Sequence, residues 1–342
     1  SRSEWMSEKQ AAVDGSTIEA EAPERLMGAE GIRFGRYREP ILDPRLALRP
    51  WERFRLKEWH YSSVTTDRVF VAFGLVSLGY MANAFLYLVD RRRPEQLLEY
   101  EALSPLGLGM RFAPSSIAGR TSFRKGRDRL EISYDECWLV RIDLHLPGGH
   151  LRGSFRIEPR ESLALVHPLG DRRAAYTHKA AGLPVSGLLQ LDTERYELEG
   201  ALGVLDWTRS LADRETRWKW ASSATRLESG ESFGLNLSAE VYDDEAGDSR
   251  ENAFWLGGKV RALGGVRFEL PRNPGCEDWS IRSREGEEVA LRFRPLGARS
   301  QQVNLRLVRS DFVQPYGLFD GYVAGHRLDA AFGVVEDHLA LW

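Results

Sequence analysis

Cysteine is scarce in this chain. Cys137 and Cys276 are the two in 342 residues, far apart and outside any CxxC motif. A disulfide scaffold is thereby excluded, and free thiols in a reducing, cytoplasmic compartment are expected. Metal-ligand spacing is missing too. The seven histidines (His60, His145, His150, His167, His178, His326 and His338) form no HExxH pair and no tight His/Cys cluster. The run Glu336-Asp337-His338 is not a ligand set by itself, so no metal is expected. No GxGxxG opens a helical pattern, and there is no phosphate loop. Gly230-Glu231-Ser232 and Pro184-Val185-Ser186-Gly187 lack the strand–turn–helix setting of a serine nucleophile. Nucleotide-dependent and serine-hydrolase chemistry are disfavoured, and no cofactor is expected. Charge of one sign is lacking: 47 basic residues face 50 acidic ones, with no basic stripe carrying aromatics. No nucleic-acid partner is expected. The start, SRSEWMSEKQ, shows no signal-peptide pattern, and residues 1–30 read as a polar, loosely attached arm.

Long apolar runs are missing with one exception. Val69 to Val89 is long enough to span a bilayer and is followed by Arg91, Arg92 and Arg93. It is rich in β-formers and broken at Leu78-Gly79-Tyr80, so two buried strands around a glycine turn explain it as well. Peripheral membrane contact stays open on this reading. Hydrophobic content of 42% predicts a packed core.

What the chain has in quantity is period-two alternation. Trp138, Val140, Ile142, Leu144 and Leu146 form one face of a strand. Phe155 with Ile157, and the sets Phe233/Leu235/Leu237, Val289/Leu291/Phe293 and Val303/Leu305/Leu307, repeat the pattern. Such runs are half-buried antiparallel strands. Turn signals such as Pro147-Gly148-Gly149 and Asn273-Pro274-Gly275 separate them, and no long amphipathic helix is found. Short helical turns are expected at residues 43–48 and 94–98. The economical fold is all-β: two tandem antiparallel lipocalin-like β-barrels with few short helices, at 31–199 and 200–342. The interface between them, or a barrel mouth, is the expected pocket.

The segment from Gly200 to Ser222 carries the chemistry. Asp206 ends an apolar run beside Trp207 and shortly before Trp218 and Trp220. An acid among aromatics is open to a raised pKa and a role as proton donor. It is equally open to pairing with Arg209 or capping a turn. Trp218 and Trp220 share one strand face and fill a core or form an aromatic wall, while Lys219 points away. Asn236 lies opposite Phe233, Leu235 and Leu237, in a pocket or in solvent. Glu251, followed by Asn252, pairs with a cation or supports Asp206. In RLKEWHY (residues 55–61), Trp59 and Tyr61 share a face, with His60 on the other; a lone histidine is more often structural than catalytic.

The ordered segments RLKEWHY, THKAAGLPVSG (177–187), GVLDWTR, TRWKWAS, GLNLS, ENAFW, QPYG (314–317) and VEDHLALW together resemble a bacterial family known as domain of unknown function 2804. That family is in turn remotely similar to the carotenoid hydratase (hydroxyneurosporene synthase) and AttH-like superfamily. The resemblance implies two tandem lipocalin-like barrels and an isoprenoid or other apolar substrate. It also implies that Asp206, in Leu205-Asp206-Trp207, stands where the hydratases keep their proton-donating Asp. The resulting expectation is a cofactor-independent lyase or isomerase. Asp206, Glu251 and His60 would serve catalysis, and Trp59, Tyr61, Trp207, Trp218, Trp220, Asn236, Asn252 and Gln314 would meet the substrate. A non-catalytic lipid carrier and a carbohydrate-active enzyme with paired carboxylates are the alternatives.

Overall fold

A computed structural model describes residues 17–170, 173–305 and 308–341, without the side chains of 302–309. Leu307, the side chains of Val303 and Leu305, and residues 1–16 of the expected arm lie outside what is described.

The alternating segments form strands, and every strand pairs antiparallel with its sheet neighbours. The first sheet runs in the order Leu97–Pro105, Met81–Asp90, Val69–Ser77, Lys57–Thr65, Ala201–Ser210, Ala174–Leu191, Gly149–Ile157, Cys137–Leu146, Asp128–Asp135, Gly119–Lys125, Met110–Arg111. It curls until residues from opposite parts of the order share one core, with Phe73, Leu86, Phe123, Trp138 and Phe155 among them. The second sheet runs Lys259–Ala262, Ala253–Leu256, Ser232–Ala239, Glu215–Arg226, His326–Leu341, Val308–Val323, Val289–Leu305, Trp279–Ser283, Val266–Glu269. Phe233, Leu235, Leu237, Leu291 and Phe293 fill its interior, the faces the alternation marked. The fold is a tandem pair of lipocalin-like β-barrels.

The run from Val69 to Val89 is a hairpin within the first sheet, turning at Gly79 with a positive φ of 84°. Among the described residues no helix is long and apolar enough to cross a membrane. Among the described residues one short 3-10 turn occurs, at Pro50–Phe54, and not at 43–48 or 94–98. Its exposed Trp51 and Phe54 leave it uncoupled from the core. Gly230 to Gly234 runs from a turn directly into the strand Ser232–Ala239, so Ser232 sits at no nucleophile elbow. The arm docks earlier than expected. Ile18 and Leu26 are buried, and Leu26 packs with Tyr37, Tyr176 and Trp207. The passage between sheets also moves. Ala201–Ser210 is central to the first sheet, so the chain crosses between Ser210 and Glu215 and not at residue 200.

A third apolar layer joins the barrels. Tyr61, Phe70, Tyr87, Leu202 and Val204 of the first meet Trp220, Trp255, Tyr316 and Phe332 of the second. Each such side chain contributes about 1.5–3 kcal/mol on burial. Hydrogen bonds cross with it, among them those from Trp255 Nε1 to the Glu161 carbonyl at 2.7 Å and from Tyr316 to the Pro94 carbonyl at 2.8 Å. Backbones approach closely where the bulge at Gly182 meets Gly234. A β-carbon on Gly234 would lie 2.3 Å from the Ala181 carbonyl carbon.

Candidate functional site

The inter-barrel layer is incomplete. At one end it opens into a cavity of about 360 Å³. Strand pairing decides what faces it, because alternate residues on adjacent strands share a face. On the first sheet, Tyr61 pairs with Asp206 and Asp206 with Lys179, which places three polar side chains in one row. On the second sheet, Ser238, Trp220 and Glu336 form a facing row, continued by Gln314 and Arg299. All of these line the cavity, and Trp59, Phe85, Trp218 and Phe312 add aromatic wall.

Lys179 is the centre of the first-sheet cluster. Its Nζ lies 2.5 Å from Asp206 Oδ2 and 3.4 Å from Glu251 Oε1, and its side chain is only 5% exposed. Asp206 Oδ1 accepts from Trp59 Nε1 at 3.1 Å and lies 3.1 Å from Thr208 Oγ1. Glu251 Oε2 accepts from the Ser238 hydroxyl at 3.1 Å, whereas Oε1 has no hydrogen-bond donor. One ammonium therefore serves two buried acids. Burial works against the Lys179 charge, but Asp206 and Glu251 outweigh it and hold its pKa above the ordinary lysine value. Burial pushes the Glu251 carboxyl up; Lys179 opposes this and the Asp206 charge adds to it, leaving it raised.

Across the cavity, Glu336 accepts from Trp218 Nε1 at 2.8 Å and Gln314 Nε2 at 2.7 Å. Gln314 in turn accepts from the Tyr87 hydroxyl at 2.6 Å. His338 has Nε2 2.8 Å from the Ser310 hydroxyl and Nδ1 3.4 Å from Glu336 Oε1. Trp59 and Trp218 lie nearly parallel, centroids 6.3 Å apart, one from each barrel. Trp220 meets Tyr61 edge-on at 5.3 Å and has the Lys179 ammonium 5.9 Å from its ring centre.

Seven of the eleven expected residues line this cavity: Asp206, Glu251, Trp59, Tyr61, Trp218, Trp220 and Gln314. The other four do not. Trp207 follows Asp206 on the strand and so points to the opposite face, where it is fully buried against Tyr176 and Phe112. His60 points inward by the same rule, 3.4 Å from Thr121 Oγ1, and burial lowers its pKa to about 3. Asn236 sits behind the wall, accepting from Trp220 Nε1 at 2.8 Å and donating to the Glu251 carbonyl at 2.9 Å. Asn252 clamps backbone, accepting from Ser238 N and donating to the Gly264 carbonyl. The anticipated Asp206–Arg209 pair does not form. Arg209 shares the Trp207 face and binds Glu58 at 2.6 Å. The cation that meets Asp206 is Lys179, so Asp206 is not the cation-free proton donor expected of it. Lys179 and His338 were missed as site residues. Lys179 lay inside the segment THKAAGLPVSG, but only strand register could bring it to Asp206.

Residues 17–342 match the family model described as "Domain of unknown function (DUF2804)". The chain belongs to this family. No curated protein matches the DUF2804 chain. Among solved structures, kievitone hydratase from Nectria haematococca aligns at 10% identity with a TM-score of 0.52, covering 82% of this chain and 88% of that one. An AttH-type protein from Nitrosomonas europaea aligns at 16% identity and 0.48, covering 87% and 98%. CghA with Sch210972 aligns at 12% and 0.48, covering 96% and 94%. At these identities the likeness concerns the fold.

Proposed function

We propose that this DUF2804 protein is a hydratase, dehydratase or isomerase that moves a proton to or from a neutral apolar substrate held between its barrels. The observation that carries the reading is the buried Lys179–Asp206–Glu251 cluster in an otherwise aromatic cavity. A carrier would bind its lipid through apolar surface alone, without a buried cation shared by two acids. Asp206 and Glu251 share the Lys179 ammonium that lies between them, which does not suit a glycosidase pair straddling a bond. The name of one structural neighbour, kievitone hydratase, is in keeping with the reading.

Glu251 is the acid in this scheme. It transfers its proton to an alkene carbon, and the Lys179 ammonium stabilises the carboxylate left behind. The positive charge formed on the substrate faces Trp59 and Trp218. Water adds to the adjacent, cationic carbon and its surplus proton returns to Glu251; loss of a C–H proton from a carbon next to the cation, again to Glu251, instead gives the isomer. Asp206, held by Trp59 and Lys179, fixes the ammonium and balances its charge. A cavity of about 360 Å³ is near the small end of the range for drug-sized ligands, roughly 300–1,000 Å³, so the substrate is compact.

The test is incubation with a panel of terpenoid and aromatic alkenes and alcohols in D₂O, followed by mass spectrometry. Deuterium incorporation or hydration by the wild type, lost in Glu251→Gln, is expected. Turnover undiminished in Glu251→Gln would refute the assignment.

A further inference from the structure

The second-sheet side of the cavity holds a carboxylate with no Lys or Arg contact among the described residues. Glu336 is 7% exposed, yet no Lys or Arg among the described residues lies within 4 Å of its carboxylate. Its donors are the neutral Trp218 indole and Gln314 amide, with the His338 imidazole at 3.4 Å. The neighbouring guanidinium is committed elsewhere. Arg299 binds Glu99 at 3.3 Å and Glu101 at 3.2 Å, and covers Phe85 and Phe312. Most other acids of the lining are matched: Asp206 and Glu251 share Lys179, Glu240 meets Lys219 and Asp213 meets Arg173, whereas Glu336 has no Lys or Arg contact among the described residues. A buried carboxylate of this kind ordinarily finds a cation.

The aromatic walls point the same way. Trp59 and Trp218 each donate their indole N–H to a carboxylate, Asp206 and Glu336 respectively. That donation pushes electron density into the rings and strengthens the negative potential of their faces, which attract cations. The Lys179 ammonium stands over Trp220, leaving Trp59 and Trp218 as the indoles nearest the unmatched charge.

We infer that Glu336, Trp59 and Trp218 form a subsite for positive charge flanked by apolar carbon. The cavity selects alkylammonium-like groups and rejects carboxylate- or phosphate-bearing lipids. The inference rests on the proposed function in taking this cavity as the substrate site. The shared chemistry has two sources: a charge that develops on a neutral substrate during turnover, or a resident ammonium on the substrate itself.

Titration calorimetry with three matched probes tests it: 4-phenylbutyltrimethylammonium, its uncharged carbon isostere 5,5-dimethylhexylbenzene, and 5-phenylpentanoate. The ammonium is expected to bind at least tenfold tighter than the isostere, with the carboxylate weakest. Glu336→Gln, which keeps the side-chain shape, should erase most of that preference. Equal affinity for ammonium and isostere in the wild type would overturn the inference whether or not the variant folds. So would a preference unchanged in folded Glu336→Gln. Turnover of an ammonium-bearing alkene above its uncharged isostere marks a resident cation; turnover of the uncharged alkene, inhibited by the ammonium probe, marks a developing one. A cation preference in a protein that turns over nothing strikes the proposed function and leaves this subsite standing. Turnover that depends on Glu251 without a cation preference does the reverse.

Discussion

Replacing Lys179 with Met keeps the length and apolar stem of the side chain and removes its charge. Asp206 then loses a contact of 2.5 Å and Glu251 one of 3.4 Å, with both acids still buried. Removing one partner of a buried ion pair costs about 3–5 kcal/mol, because the other charge stays in a poorly polarisable site. The pH dependence gives the cause away. The folded pKa of Glu251 is raised above its unfolded value, so its contribution is full below about pH 4.3 and fades as pH rises through the folded pKa. In Lys179→Met the main force holding that pKa down is gone, and the fade deepens. Thermal and guanidinium unfolding should show the full loss at pH 8 and a much smaller one at pH 5. Adding Asp206→Asn to Lys179→Met should recover part of the loss at pH 8, since one of the two uncompensated charges is gone. A deficit equal at both pH values and untouched by the second substitution would show that Lys179 merely fills space.

Gly234→Ala puts a β-carbon 2.3 Å from the Ala181 carbonyl carbon, a backbone atom that cannot swing aside. The barrels should separate along this seam at a cost of about 1–3 kcal/mol or more, seen as faster proteolysis between residues 210 and 215. Trp207→Ala should cost about 3–5 kcal/mol in unfolding experiments, since its ring is wholly buried. The same variant should leave probe affinity in the cavity unchanged, whereas Trp218→Ala should weaken binding with a smaller effect on stability. His60 is buried with a pKa lowered to about 3, so the unfolded chain binds its proton first as pH falls. Stability should therefore drop between about pH 6.5 and 3, by up to roughly 1.4 kcal/mol per pH unit for this one group. His60→Leu should flatten that slope by one proton in pH-dependent denaturation.

The barrels were legible because each strand buries one face and shows the other, so alternation survives in the sequence at Trp138 to Leu146 and Phe233 to Leu237. The site was half legible for the same reason. Alternation separates Trp59 and Tyr61 from His60, and Trp218 and Trp220 from Lys219, and both separations hold in the structure. Applied to the Ala201–Ser210 strand, that rule already sets Trp207 and Arg209 apart from Asp206, although adjacency in sequence had suggested company. What alternation cannot supply is which strands lie side by side. Lys179 reaches Asp206 because the Ala174–Leu191 strand pairs with Ala201–Ser210 in one register, and Glu336 reaches Trp220 through the pairing of the last strand with Glu215–Arg226. These are long-range choices, made by the closing of each barrel.

The central claim is that Glu251 carries a transferable proton beside Lys179 and Asp206. Infrared difference spectroscopy between the wild type and Glu251→Gln, at neutral pH, reads that proton directly. A protonated carboxyl C=O band present in the wild type and absent from the variant is the predicted result. A difference spectrum showing only the loss of carboxylate bands would contradict the account.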